Sequence, residues 1–265
     1  MPKKYQDEKL DRVGIPGALI TTFHAEYQDG FVFPEHYHEL DQIIFASQGL
    51  ITVQTPEGIW VLPTNRGLWM PAGTPHVVRM SGTVSARTLY LKTHLAREMP
   101  RTCCVIHVSA LLKELILQAC RFPSLNRRTP LQGHLIGLIV QLLRSSKLLP
   151  LQLPQPFDPR AQKVANLLFS DPSTQLPTDE ICRRAGASKR TVERLFLKDI
   201  HMTLGKWKQQ LRLAHGLRLL AQGLKVSEVA RAAGYGSPSA FIATFKKLMG
   251  TTPALYFRAN PHTPM

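Results

Sequence analysis

The stretch EICRRAGASKRTVERLFLK, from Glu180 to Lys198, returns 48 residues later as EVARAAGYGSPSAFIATFKK, from Glu228 to Lys247, with one extra residue in its turn. Each copy holds an acid, a short segment closing on Ala-Gly, a serine, and a longer segment whose apolar row ends in phenylalanine. Gly186 and Gly234 suit the left-handed backbone of a tight turn between helices, and Ser188 and Ser237 stand where a hydroxyl accepts from the free N–H groups of the next helix. Pro238 follows at the first helical position, where its missing N–H costs nothing. The pattern predicts two helix-turn-helix units. Val192, Leu195 and Phe196 form the expected buried row of the first unit's second helix, and Phe241, Phe245 and Leu248 that of the second.

The opposite faces are then left for a partner. In the first unit these are Ser188, Lys189, Arg190, Glu193 and Arg194, with Arg190 and Arg194 one turn apart and suited to guanine edges or phosphates. In the second they are Ser237, Ser239, Ile242, Ala243 and Lys246, which favour thymine methyls and phosphate. Between the copies, Trp207, Leu211, Leu213, Leu217 and Leu220 predict one helix from Thr203 to Ala221. At 1.5 Å per residue it spans about 28 Å, a little under the roughly 34 Å between successive major grooves. Such a rod would favour DNA that bends toward the protein.

Charge points the same way. The chain of 265 residues carries a formal net charge of +15. From Asp158 onward there are 17 Lys and Arg against 7 Asp and Glu, so most of the excess lies in the repeat-bearing part. A polyanion is the expected partner.

The first hundred residues read as β. GALITTFHAEY, DQIIFASQGLITVQT, GIWVLP and ARTLYLKTH carry alternating or β-branched apolar residues between turn signals, which predicts a barrel or sandwich. After Thr102 the period changes, and apolar helices are expected from Val108 to Ala119 and from Gln132 to Leu143. They hold more Leu and Ile than one buried stripe requires, which suits packing on the barrel and on a second subunit. Pro150, Pro154, Pro156 and Pro159 then mark a connection. The expected organisation is residues 1–148 as an effector-binding and dimerisation domain, 149–158 as a linker, and 159–265 as an all-α domain of two helix-turn-helix units joined by a long helix.

In PEHYHELDQ, residues 34–42, His36 and His38 share one face of a strand, so both imidazoles can reach one ion. Cys103, Cys104, Cys120 and Cys182 form no CxxC pair and are expected as reduced structural thiols. No apolar run approaches the roughly 18 residues needed to cross a bilayer, and MPKKYQDEKLDRV lacks the apolar core of a signal peptide. A cytoplasmic protein with no membrane partner is expected.

The segment from about Asp158 to Arg258, with the repeat, Gly234-Tyr235, FKKLMG and TTPALYFR, resembles the DNA-binding domain of AraC-type transcription regulators. The resemblance implies a sequence-specific transcription regulator, activator or repressor, with an effector-binding and often dimerising N-terminal domain. It places Lys189, Arg190, Arg194, Ser239, Ile242 and Ala243 at positions that face double-stranded DNA, and RNA polymerase becomes a partner if the protein activates. The first half resembles the cupin barrel that many such regulators carry: Gly30, His36-Tyr37-His38, Gln42 and Gly49 follow one cupin motif and the run Pro71 to His76 the other. In metal-binding cupins the positions of His36, His38, Gln42 and His76 converge on an ion. Here Gln42 stands in place of an acid, Asn65 and Arg79 replace a glycine and an asparagine, and a guanidinium near the site would oppose a cation.

The favoured reading is therefore a small-molecule effector pocket lined by His36, His38, Gln42 and His76, with Tyr37, Phe45, Trp60 and Trp69 as aromatic walls, and with no metal, cofactor or catalytic residue. A divalent metal on the three histidines and Gln42 stays open beside it. So do a metal-dependent cupin enzyme fused to a DNA-binding tail and a regulator that needs no effector.

Overall fold

The computed structural model describes residues 15–64, 66–149 and 152–258; MPKKYQDEKLDRV, Asn65 and Pro150 lie outside them. The chain divides into two compact units, Met1–Gln152 and Leu153–Met265.

The first unit is rich in sheet. Its strands are β1 (Ile20–Tyr27), β2 (Val32–His36), β3 (Asp41–Thr55), β4 (Gly58–Pro63), β5 (Arg66–Met70), β6 (His76–Leu91) and β7 (Cys104–His107), then β8 (Ser124–Leu125) and β9 (Leu148–Leu149) around helices α1 (Ala110–Ala119) and α2 (Pro130–Ser145). Their order in the sheet is β8-β1-β6-β3-β5-β7-β9, with β2 added on β6 and β4 on β3. The long strands β3 and β6 pair with each other throughout but change register between Ala46 and Leu50. Gly49 makes that bulge possible: its φ is +76°, and a Cβ there would come within 2.5 Å of the Thr83 carbonyl oxygen. Two segments of β3 are thereby aimed separately, the first at β5 and the second at β4.

β3, β5 and the end of β6 bury residues on both faces. Ile43, Phe45, Trp69, Leu89 and Leu91 pack with Leu112 and Ile116 of α1 and Leu135, Ile136, Ile139 and Leu143 of α2. Ile44, Ala46, Leu68, Met70, Val78, Met80 and Tyr90 belong to a second cluster, with Trp60. The alternation follows from the two-residue period of a strand. Ser109 and Thr129 cap α1 and α2, which start at Ala110 and Pro130 rather than at Val108 and Gln132. The surplus leucines stay outside: Leu111, Leu131 and Leu138 are all about half exposed. Cys103, Cys104, Cys120 and Cys182 are free thiols. Burial pushes Cys103 up to about 12 and Cys104 and Cys120 to about 11, so they stay protonated.

The stretch expected as a linker, 149–158, begins at the end of β9 and holds the short strand β10 (Gln152–Pro154). The second unit is helical: α3 (Pro159–Ser170), α4 (Thr178–Arg184), α5 (Lys189–Ile200), α6 (Leu204–Ala221), α7 (Val226–Ala232), α8 (Pro238–Met249) and α9 (Pro253–Arg258). Gly186 and Gly234 end α4 and α7 with φ of +78° and +76°. The Ser188 hydroxyl accepts from the Thr191 N–H and the Ser237 hydroxyl from that of Ala240. Gly234 has a second role, since a Cβ would sit 3.0 Å from the guanidinium of Arg212, which donates to the carbonyls of Pro172 and Thr174.

Trp207, Leu211, Leu213, Leu217 and Leu220 are buried along α6, whose N-cap is Thr203. One expectation fails in α8. Leu248 is 41% exposed, and Met249 takes its place in the buried row. Phe245 packs edge-on to Tyr256 of α9, and this draws the row along i, i+4, i+8 from Phe241 to Met249. No helix among the described residues is long and apolar enough to cross a membrane.

One contact in α6 sets a pH response. Arg218 donates to Nδ1 of His215 at 2.8 Å, so that nitrogen carries the lone pair. Burial, and then the Arg218 charge, hold His215 down to about 4 from 6.5. The folded chain then binds fewer protons than the unfolded chain between these values, so stability is complete above pH 6.5 and declines as pH falls toward 4. At about 1.4 kcal/mol per unit, discounted for partial exposure, the loss is at most about 3 kcal/mol. The urea transition of the second unit at pH 7 and pH 5 should show it, and His215→Gln should flatten the difference there; an undiminished difference in that variant would refute the assignment.

Candidate functional site

The second unit presents two capped helices with dissimilar faces. On α5, Ser188, Lys189, Arg190, Glu193 and Arg194 are all exposed, while Val192, Leu195 and Phe196 are buried. Lys189 lies 4.0 Å from Asp179, and neither Arg190 nor Arg194 forms an ion pair among the described residues. The first turn of α5 has no acid and carries Lys189 and Arg190. Cations at that end oppose the helix dipole, so folding alone does not favour them there. Together with the free N–H groups of the turn they suit an anion. On α8, Ser237, Ser239, Ala243 and Lys246 are exposed, and Ile242 is half-buried.

In the first unit, three histidines converge from two places in the chain. β2 pairs with β6 so that His36 and His76 are register partners. The turn after β2 is joined to the turn before β6 by the Gly73 N–H donating to the His38 carbonyl at 2.7 Å. The Asp41 carboxylate accepts from the Ala72 N–H at 3.0 Å and holds the same turn. One ligand atom from each of His36, His38 and His76 then lies within 4.8 Å of the other two. Ring centroids are 4.3 Å apart for His36 and His76, 5.0 Å for His36 and His38, and 5.4 Å for His38 and His76.

Second contacts fix two of the tautomers. Nδ1 of His36 lies 2.7 Å from the Pro34 carbonyl oxygen and Nδ1 of His76 lies 2.8 Å from that of Thr74. A carbonyl only accepts, so each Nδ1 carries the proton and each Nε2 the lone pair. Nε2 of His38, Nε2 of His76 and Oε1 of Gln42 are buried without a hydrogen-bond partner. Burial lowers all three histidines, and the neighbouring imidazoles add to it for His38 and His76, which fall to about 3 and about 4.

His36 and Gln42 open on a chamber lined also by Phe23, Tyr27, Phe33, Ile44, Val78, Thr88 and Tyr90. Its free space is only about 20 Å³. That is room for about one water molecule. Phe45 and Trp69 are not in its wall. They lie on the other face of β3 and β5, under α1 and α2, because Phe45 is an odd number of residues from Gln42. Trp69 donates its indole N–H to the Pro100 carbonyl instead. Trp60 donates to Thr55 Oγ1, and neither it nor half-buried Tyr37 lines the chamber. Arg79 is exposed and of opposite parity to His76, Val78 and Met80, so its charge points away from the histidines. The sequence reading missed Tyr27, Phe33, Thr88 and Tyr90; the period of two running back along β6 from Tyr90 is the signal that marks the last two. It also missed a larger cavity of about 330 Å³ along α2, lined by Leu19, His94, Leu95, Arg127, Ile136 and Arg144 among others.

Residues 19–154 match the model of the AraC-like ligand binding domain, and residues 181–259 match a helix-turn-helix domain. The chain is also 30% identical over 239 residues to the HTH-type transcriptional regulator NimR of Escherichia coli (strain K12), covering 90% of this chain and 87% of that one. This chain belongs to the AraC family of transcription regulators. A relative of narrower overlap is the HTH-type transcriptional regulator RipA of Corynebacterium glutamicum, 31% identical over 103 residues, 39% of this chain and 31% of its own length. Among solved structures, that of ToxT from Vibrio cholerae aligns over 90% of this chain and 98% of that chain at 12% identity, with a TM-score of 0.39. As an AraC-family protein the chain is a DNA-binding transcription regulator with a ligand-binding domain, and not an enzyme.

Proposed function

We propose that this regulator reads DNA with α5 and α8 in successive major grooves, and that a ligand at His36, His38, Gln42 and His76 controls the reading. The observation that carries it is the pair Arg190 and Arg194, exposed one turn apart with no acidic partner among the described residues, on a helix capped by Ser188. On α5, Lys189, Arg190, Glu193 and Arg194 supply hydrogen-bonded readout; on α8, Ser239, Ile242, Ala243 and Lys246 supply apolar and phosphate contacts. The 18 residues of α6 span about 27 Å, which favours a site bent toward the protein. The antiparallel first unit serves as a cupin-like sensor barrel, spanning residues 1–148 with 149–158 as connection to the DNA-binding part. Exposed Leu111, Leu131 and Leu138 favour a homodimer through α1 and α2, which a sedimentation mass of one chain at micromolar concentration would exclude. The regulator acts in the cytoplasm, and contacts RNA polymerase where it activates.

The test is a footprint on DNA flanking the chain's own gene. Protection of about two helical turns per subunit is expected, with affinity falling steeply as salt rises. Equal affinity for unrelated DNA at every salt concentration would refute sequence-specific reading.

A further inference from the structure

We propose that the cavity along α2 is a second ligand site of the first unit, built for a small organic carboxylate with an apolar body. The inference does not depend on what binds at the histidines. The two cavities share no lining residue, and they belong to different layers: Ile44, Val78 and Tyr90 line one, while the other lies among the residues packed with α2.

Size, lining and charge agree. The cavity's volume of about 330 Å³ falls in the range of roughly 300–1,000 Å³ that small-molecule sites occupy. Its floor is apolar, made by Leu95, Ile136 and Val140 of the core. Its rim is cationic. Arg127 lines it from the segment before α2 and Arg144 from the last turn of that helix, and the lining holds no Asp or Glu.

The two arginines differ in how they are held. Arg144 donates to the Leu95 carbonyl at 3.1 Å and lies 3.2 Å from a Glu98 carboxylate oxygen. Glu98 is 70% exposed, so water screens that pairing, and a guanidinium has N–H donors to spare beyond these two contacts. Arg127 forms no ion pair among the described residues, so the chain supplies no counter-charge for it. Gly137 lines the same cavity from the middle of α2. Glycine weakens a helix interior relative to alanine, and neither a positive φ nor a close neighbour requires it here, since a Cβ would meet nothing within 4 Å. Its effect at this place is to leave the cavity wall open.

These features select the ligand. A bare inorganic anion would answer the arginines and leave the apolar floor uncovered, whereas an uncharged apolar molecule would cover the floor and leave two cations beside it. A carboxylate on an apolar body meets both, through charge-assisted N–H···O bonds at the rim and apolar contact beneath.

The test is isothermal titration calorimetry of the full chain with 3-phenylpropanoate and hexanoate, with the amides of both acids as uncharged counterparts and inorganic phosphate as the bare anion. At least one acid is expected to bind once per chain with a dissociation constant below about 1 mM, and its amide at least about tenfold more weakly, as the loss of a charge-assisted hydrogen bond requires. Arg127→Gln should weaken the acid by about tenfold or more and leave the amide unchanged, a pattern that a general loosening of the fold does not give. Gly137→Leu should abolish binding, because leucine suits a helix interior and its side chain enters the cavity from a point where a Cβ has free space. No saturable binding of either acid, as when a second copy of the chain fills the cleft, overturns the proposal. So does equal affinity for acid and amide, phosphate binding as tight as that of the acids, or undiminished affinity in either variant.

Discussion

Replacing Arg190 and Arg194 together by alanine is expected to weaken binding to the specific DNA site by about 2–6 kcal/mol, roughly 30-fold to 10⁴-fold, at 1–3 kcal/mol for each good base contact. Both side chains are exposed and form no ion pair among the described residues, so the thermal midpoint should not fall. Removing a cation from the first turn of α5 should even raise it slightly, since the helix dipole opposes positive charge there. The salt dependence then sorts the two arginines. An arginine on phosphate takes about 0.9 from the slope of log affinity against log salt and weakens all sequences alike. One on a guanine edge leaves the slope nearly as it was and relaxes the preference at one base pair. Gel-shift titrations of the single and double variants at several salt concentrations decide between these. Undiminished affinity in the double variant would remove α5 from the interface.

Trp207→Ala should be the most damaging single change in the second unit, at about 3–5 kcal/mol for a fully buried aromatic. The indole is wholly buried, packs edge-on to Phe196 with centroids 5.6 Å apart, and donates its N–H to the Pro154 carbonyl at 2.8 Å. Phe196 is the inner face of α5, so the cavity opens directly beneath the helix that carries Arg190 and Arg194. DNA binding should therefore weaken along with stability. Trp207→Phe separates the two contributions: it keeps most of the apolar contact with Phe196 and strands the Pro154 carbonyl, which costs about 1–3 kcal/mol. Denaturant unfolding of the full chain measures both, with the first unit's transition as an internal reference. A loss below about 1 kcal/mol in Trp207→Ala would mean that α5 does not depend on this contact.

The helical unit was legible because its signals are local. A left-handed glycine, a serine cap and a proline at the first helical position act within one turn of chain, and Gly186, Gly234, Ser188, Ser237 and Pro238 each stand where that chemistry is used. The reading failed at Leu248, where the choice between two adjacent apolar residues depends on Tyr256 arriving from α9. In the sheet unit, period and turn signals marked the strands, but the aromatic wall was misplaced. Phe45 and Trp69 are large and apolar like any pocket residue, and only strand parity relative to Gln42 shows that they face the helices. Parity likewise turns Arg79 away from the histidines, removing the objection that charge raised against a cation.

What the sequence by itself determined is the architecture of the reading head: two capped helices, a rigid rod between them, and an excess of positive charge on that part of the chain. These follow from backbone preferences that hold wherever the residues occur. Only the tertiary structure brings the three histidines together. His36 and His76 are forty residues apart, and the pairing of β2 with β6, the hydrogen bonds that orient each ring, and a chamber with room for about one water are long-range packing results. Distances of that kind are set by how all the strands fill space together, so no local pattern in the chain could have stated them.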